Sequence, residues 1–444
     1  MAPLTPDQAR ALMDRALRLS KADACEVNLN ANSGGNIRFA RNTVNTAGAN
    51  EDLQMVIQSN FGTRSGTVTI NEFDDATLER AVHRSEELAH LAPEDEEFMP
   101  PMGQQQYVAT QAFFDNTANI TPEYRAQVAA DNITPAKAKD CTAAGFLQDG
   151  AQWQAMKNTA GLFAYHRQTG AAFSVTVRSN DGTGSGYGSC EANDLGKFDV
   201  GAASRMAVEK AAASRNPRAI EPGKYTVILE PEAGINLIGN LLFNLQARSA
   251  DEGRSFLAKA GGGTKLGEKL VDERVHIWSD PAHPDVPTSP WQGDGRPYER
   301  TDWVAGGVVK NMFYSRYWAQ KKGVKAVPFP PNLIMDGGTA STEDLIRDTT
   351  RGILVTRTWY IRSVDPQTVL VTGLTRDGTF YIENGQIKYA VKNFRFNESP
   401  VIMLNNLDAL GRQQRVSGSD AGITSFMPVM RIRDFTFSSL SDAV

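Results

Sequence analysis

From Gly223 to the C-terminus the sequence is a succession of strand-like runs, and this constrains the fold more than any other feature. "YTVILE" (225–230), "RVHIW" (274–278), "GGVVKNMFYSRYW" (306–318), "RGILVTRTWYIRSV" (351–364), "FYIENGQIKYAVKNFRF" (380–396) and "MRIRDFTF" (430–437) concentrate β-branched and aromatic residues. These residue types suit a pleated, half-buried surface. Two helices interrupt the runs, an apolar one after residue 230 and another near 341–351. Runs of strands with so few helices predict a large, mainly antiparallel β domain over residues 223–444.

At 444 residues the chain exceeds what one ordinary core organises, and two further domains are expected before residue 223. Thr5 with Gln8 three residues on, and Pro6 between them, is a capping-box helix start; Ala9, Leu12, Met13, Ala16 and Leu19 then mark its packing face. Short β-like runs follow, "CEVNLNA", "GNIRFAR", "LQMVIQS" and "GTVTI", with Gly, Asn and Ser between them that predict hairpins. "DDATLERAVHRSEELAHLA" is again helical, and the acidic, proline-rich "PEDEEFMPPMGQQQ" reads as a linker, which closes an N-terminal α/β hairpin domain over 1–105. A middle α+β domain over 106–222 contains a helix capped by Thr121 and Pro122, strands in "AFSVTVRS" and "GSGYGSCEAN", and a helix in "FDVGAASRMAVEKAAAS". The whole is of the α+β class.

A formal net charge of -5 provides no basic field, so nucleic acid is not an expected direct partner, although a local basic patch stays possible. Cys25, Cys141 and Cys190 are odd in number and widely spaced, which argues against a disulfide framework and a cysteine zinc site and for a reducing cytoplasm. The N-terminus lacks an apolar signal core, and the longest apolar run, around 233–245, is too short and too interrupted by Asn to span a bilayer. The expectation is a cytoplasmic protein with no membrane partner.

Motifs that carry chemistry are scarce. Gly182, Gly184, Gly186 and Gly188 give neither a dinucleotide fingerprint nor a phosphate loop, and read as turn and hairpin glycines. No G-x-S-x-G elbow occurs. His83, Glu86, Glu87 and His90 share a helix with i,i+4 spacings that zinc can use, yet a solvated helix face explains them as well. His276, Asp280 and His283 form a looser group at a strand end and proline turn. Asp377 and Glu383 bracket a strand; "TRDG" reads most simply as a hairpin turn with Arg376 exposed, and a place lining a cleft is the alternative. The apolar helix after 230 carries Asn236, Asn240 and Asn244 as its polar stripe, at i,i+4,i+8.

In this order the segments resemble the TldD/PmbA family, also called TldD/TldE or modulator-of-DNA-gyrase proteins. The likeness runs through "IRFARNTVNTAGANEDLQMVIQSNFGTRSGTVTI", "YTVILEPEAG", "EGRSFLAKAGGGTKLGEKL" and above all residues 341–399, from "STEDLIRDTTRGILVTRTWYIRSVDPQTVL" to "KNFRFNES". The resemblance implies a cytosolic zinc peptidase fold working as a dimer. TldD members carry H-E-x-x-x-H on the helix after the strand corresponding to "YTVILE" and a cysteine ligand late in the chain, and TldE/PmbA partners lack these ligands. Here that helix has no histidine, residues 233–250 hold no carboxylate, and Cys190 is the last cysteine, so the chain resembles the PmbA/TldE type.

The expected function follows from that resemblance: a subunit with no cofactor of its own, binding unstructured peptide in a dimer cavity while a TldD-type partner supplies zinc and hydrolysis. A second copy of the chain is the alternative partner. Asn236, Asn240, Asn244, Arg376, Asp377 and Glu383 are the candidate peptide-cleft residues, and no catalytic or metal residue is assigned. The alternatives are an autonomous metal-independent hydrolase built on Arg376, Asp377 and Glu383, and a homodimeric binding or regulatory protein of the gyrase-modulator kind.

Overall fold

A computed structural model of the protein describes residues 4–418 and 420–441. Among these, the strands β1 (Ala24–Ala40), β2 (Thr43–Phe61), β3 (Arg64–Ile70), β4 (Cys141–Asn158), β5 (Phe163–Ser179) and β6 (Ser185–Ala192) form one antiparallel sheet in the order β3-β2-β1-β4-β5-β6. Because β1 pairs with β4, the stretches on either side of residue 105 share a single sheet. The helices α1 (Pro6–Leu19), α2 (Asp75–Leu91), α3 (Asp115–Ala118), α4 (Pro122–Ala138) and α5 (Val200–Ala213) accompany it. Thr5 caps α1 in the capping box its spacing predicts.

Alternation along β1 explains the layering. Its odd positions Cys25, Val27, Leu29, Ile37 and Phe39 are buried, the first three with residues of α1 and α2 and the last two with residues of α4 and α5. Its even positions Asn28, Asn30, Asn32 and Asn36 face the other way, as the two-residue strand period requires. One face is therefore a helix-covered core and the other is polar.

The expected short hairpins around "NSGG" are replaced by long continuous strands, and contacts show why. Gly34 lies opposite Gly150, and a Cβ on Gly34 would stand 2.2 Å from the Asp149 carbonyl oxygen. A Cβ on Gly35 would collide with the Arg125 guanidinium, which crosses there from α4 to make two hydrogen bonds of 2.6 and 2.7 Å to Asp149. The glycines serve close approach rather than a turn. The same holds for Gly184, Gly186 and Gly188, where a Cβ would meet α5 carbonyl oxygens at 2.3, 2.1 and 2.0 Å; only Gly182, with φ of 75°, is the turn glycine expected of that run.

The rest of the chain contains β7 (Gly223–Leu229), β8 (Ile277–Ser279), β9 (Thr301–Ala305), β10 (Val308–Val309), β11 (Leu333–Met335), β12 (Arg351–Asp365), β13 (Leu370–Glu383), β14 (Gln386–Ala390), β15 (Phe394–Glu398), β16 (Leu407–Val416) and β17 (Ser425–Leu440). Pairings β17–β15, β15–β13, β13–β12, β12–β7 and β7–β17 close a ring, with β12–β7 parallel and the others antiparallel. Closure leaves those strands no open edge. The apolar helix α6 (Pro231–Phe243) packs on β12 and β17, burying Ile235, Leu237, Ile238, Leu241 and Leu242 in the largest core. Shorter helices follow: α7 (Ala247–Asp251), α8 (Arg316–Lys322), α9 (Thr342–Arg347) and α10 (Pro400–Asn405). Of the strand expected over 306–318 only Val308–Val309 forms, and from Ser315, which caps α8 by accepting from the Trp318 N–H, the run is helical.

Candidate functional site

A cleft of about 680 Å³ lies over the polar face of the first sheet, and the sheet register builds its floor. Asn32 pairs with Gln152, which pairs with Gln168; Asn36 pairs with Gln148; Asn50 enters from β2. Directly opposed residues share a face, so these side chains form rows across β1, β4 and β5. The Gln168 amide donates to Gln152 Oε1 at 3.1 Å, which sets the orientation of that row. Each amide carries N–H donors and a carbonyl acceptor, which can meet both the C=O and the N–H groups of an extended backbone.

The second part of the chain supplies the roof, including Thr288, Ser289, Trp291, Tyr298, Arg415 and Thr424. Gln154 ties floor to roof by donating to Ser289 Oγ at 2.6 Å. Arg415 donates to Asn193 Oδ1 at 2.6 Å and to the Asp285 carbonyl at 2.8 Å, while its buried Nε has no hydrogen-bond partner. Burial pushes its guanidinium pKa down, with Glu191 and Asp285 opposing that shift. Ser417 Oγ donates to Glu191 at 2.5 Å on the same wall.

His166, beside these rows, packs edge-on to Trp291, and burial holds its pKa down at about 4. The unfolded chain then takes up a proton near the ordinary 6.5 while the folded chain does not, so stability is full above 6.5 and is lost as the pH falls towards 4. The expected loss from this group is about 3 kcal/mol. Urea midpoints of the wild type and His166→Gln, measured across that window, are expected to converge at the acid end; parallel curves would show that His166 is not the group responsible.

The candidates named from sequence stand elsewhere. Asn236 is fully buried: its Nδ2 donates to the Thr358 carbonyl at 3.2 Å, and its Oδ1 accepts from the N–H groups of Asp420 and Ala421 at 3.0 and 3.1 Å. Asn240 and Asn244 are partly buried and donate to the carbonyl groups four residues earlier, at 2.7 and 2.8 Å. The "TRDG" turn is not formed. Asp377 and Gly378 lie within β13 in a bulge opposite Thr356, with φ of 57° and 119°, so the left-handed pair bends a strand instead of reversing it. Asp377 is 1% exposed, accepts from Arg357 at 3.1 Å and from Ser185 at 2.6 Å, and lies near Arg376, which is only partly exposed rather than free in solvent. Glu383, exposed at the far end of β13, lies six residues away, roughly 20 Å along an extended strand. These two carboxylates are not brought together.

The histidine groups divide as well. Glu86 accepts from the Lys21 N–H at 2.6 Å, and His90 stacks on Phe61 at 4.0 Å. His276 is held between Asp336 at 2.7 Å and Asp302 at 3.1 Å, whereas His283 packs against Trp278 and Phe426. Among the described residues no three His, Cys, Asp or Glu side chains stand together as metal ligands do. The donor set on α6, one glutamate and three amides, does not fit zinc, which takes imidazole, thiolate and carboxylate. No helix among the described residues is long and apolar enough to cross a membrane.

The rows of Asn and Gln were missed in the sequence, although the signal is there as a two-residue alternation: "NLNANSGGN" places Asn at 28, 30, 32 and 36, and "LQDGAQWQ" places Gln at 148, 152 and 154.

Three family models match the chain: PmbA/TldA metallopeptidase domain 1 over residues 25–89, the central domain over 119–215 and the C-terminal domain over 222–439. A metalloprotease of Methanothermobacter thermautotrophicus is 24% identical over 310 residues, covering 63% of this chain and 66% of that protein. Metalloprotease PmbA of Escherichia coli O157:H7 is 23% identical over 223 residues, covering 49% of this chain and 47% of its own, so the chain aligns with less than two thirds of either relative. The crystal structure of TldE from Thermococcus kodakarensis superposes with a TM-score of 0.86 at 18% identity, covering 96% of this chain and 100% of that one. A Thermotoga maritima protein described as a candidate modulator of a DNA gyrase gives 0.85 at 17% identity, covering 97% and 100%.

Proposed function

The chain belongs to the PmbA/TldD metallopeptidase family, and from that premise we propose that it is the subunit of a two-part peptidase that binds peptide and carries no metal. The observation that carries this reading is the amide floor of the cleft, rows of Asn and Gln with donors and acceptors at strand spacing beneath a roof with few charges. An extended segment lying there exchanges its hydrogen bonds with water for bonds with these amides, and needs no particular side chain to do so. Such a floor selects for an unfolded backbone. A helix or sheet has already spent its N–H and C=O groups.

In this reading the zinc and the water it activates belong to a TldD-type partner, and this chain presents and orients the peptide. Asn240 and Asn244, whose nitrogens are engaged along α6, have their amide oxygens left to accept from a peptide N–H. Arg376, partly exposed on β13, would hold the peptide there, with the buried Asp377 beside it. A homodimer would bind peptide without cutting it.

The test is the zinc content of chain purified without chelator, paired with cleavage of an unfolded peptide by the same sample, with and without a TldD-type partner. Zinc below about a tenth of an equivalent and cleavage only with the partner are the expected results. Stoichiometric zinc with cleavage by the chain alone would overturn the reading and return attention to the His83/His90 and His276/His283 groups.

A further inference from the structure

A second cleft, of about 850 Å³, opens between the linker at Met99–Gln105 and the segments around β9 and α8, and its charge is opposite to that of the molecule. Arg296, Arg300, Lys310, Arg316 and Lys325 line it, against Glu299 and Asp302. The protein as a whole carries -5.

The local pairs decide how much of that charge is free. Arg296 is neutralised by Asp294 at 2.8 Å and Lys325 by Glu299 at 2.7 Å, while Asp302 accepts from His276. Arg300, Lys310 and Arg316 have no carboxylate within ion-pair distance among the described residues. The Arg300 guanidinium lies on the Trp278 ring at 4.1 Å, which fixes its plane and leaves its N–H edge open. Arg316 donates to the Pro100 carbonyl at 2.6 Å and is partly buried, and burial pushes its pKa down because its charge is incompletely compensated. Lys310 is exposed. Between these cations the lining is mixed: Met99, Met102, Val324 and Val327 give it an apolar part, and Gln105, Asn311 and Gln320 a polar one.

We propose that this cleft binds an acidic peptide segment, with carboxylates on Arg300, Lys310 and Arg316 and aliphatic side chains on the methionine and valine surface. A free phosphate would leave most of such a volume empty, and the lining presents no open aromatic face for a base to stack on. The inference goes beyond cleavage: it concerns binding by this chain alone, and it stands or falls independently of the peptidase reading.

The experiment is fluorescence anisotropy of the full chain with a labelled peptide of alternating Glu and Leu and its Gln/Leu counterpart, at low and at physiological salt. The neutral peptide reports the amide cleft, and the difference between the two reports this one. The Glu peptide is expected to bind at least about tenfold more tightly, with the advantage shrinking as salt rises. Lys310→Ala with Arg316→Gln is expected to abolish the advantage, whereas Lys325→Ala, whose charge is already paired, leaves it nearly intact. Should the double variant melt lower than the wild type, Lys310→Glu alone decides, since that side chain is exposed and outside any ion pair. Equal affinities for the two peptides, or an advantage that survives both Lys310 variants, would overturn the proposal. Tighter binding of a DNA duplex than of the Glu peptide would also overturn it, in favour of nucleic acid.

Discussion

Asp377→Ala is expected to destabilise the protein by about 3–5 kcal/mol, because it leaves a buried guanidinium without its counter-charge. The Asp377 carboxylate, 1% exposed, accepts from Arg357 at 3.1 Å and from Ser185 Oγ at 2.6 Å. Arg357 cannot turn to solvent for compensation. It is sandwiched within reach of the Tyr187 ring at 4.1 Å and the Trp359 ring at 4.9 Å, and its buried Nε already has no partner. The same carboxylate joins the two halves of the molecule, since Ser185 is on β6 of the first sheet and Arg357 on β12 of the barrel. Urea unfolding gives the loss directly, and a double-mutant cycle separates its origins. If the cost is the stranded charge, Arg357→Met in the Asp377→Ala background restores part of the stability. A loss below about 1 kcal/mol, or no recovery in the double variant, would show that water reaches Arg357 and that the pair is not structural.

That pair also shows where sequence reading stops. "TRDG" has the composition of a tight turn, and its backbone does enter the left-handed region at both Asp377 and Gly378. Local chemistry therefore specifies the dihedral angles but not their use, because a hairpin end and a bulge within a long strand require the same residues. The distinction lies in Arg357, twenty positions earlier, and in Ser185, nearly two hundred earlier. "NSGG" failed for the same reason: Gly35 is glycine to admit Arg125 from α4. By contrast α1, α2, α4 and α5 were legible because capping residues and a helical period are local. The mainly antiparallel barrel was legible as a class from its runs of strand residues, but not in its closure, which depends on β7 meeting both β12 and β17. The amide floor was within reach, since period-two Asn and Gln in β1 and β4 needed only to be read as one face.

Asn236→Ala is expected to cost about 3–4 kcal/mol and to loosen the amide-floored cleft, an effect out of proportion to a single amide. Helix α6 buries this side chain completely, and both ends of the amide are in use: Nδ2 to the Thr358 carbonyl on β12, Oδ1 to the N–H groups of Asp420 and Ala421. Removing it strands the buried Ala421 N–H at a cost of about 1–3 kcal/mol, takes a donor from the Thr358 carbonyl, and opens a void against β12. Gly418, Asp420 and Ala421 gather around the same oxygen. Gly418 has φ of 68°, and a Cβ there would fall 2.5 Å from Asn236 Oδ1. Asp420 and Ala421 lie in sequence between Ser417, which engages Glu191, and Thr424, which lines the cleft, so their release is expected to reach the roof as well. Amide hydrogen exchange at Ala421 should accelerate in Asn236→Ala, together with lowered affinity for a neutral extended peptide. Asn240→Ala, whose one bond within the fold is to the carbonyl of the preceding turn, is the matched control for stability and hydrogen exchange and should change stability by less than about 1 kcal/mol. If the two variants behave alike, Asn236 does not fasten the wall, and the asparagines of α6 are to be read as a single helix surface.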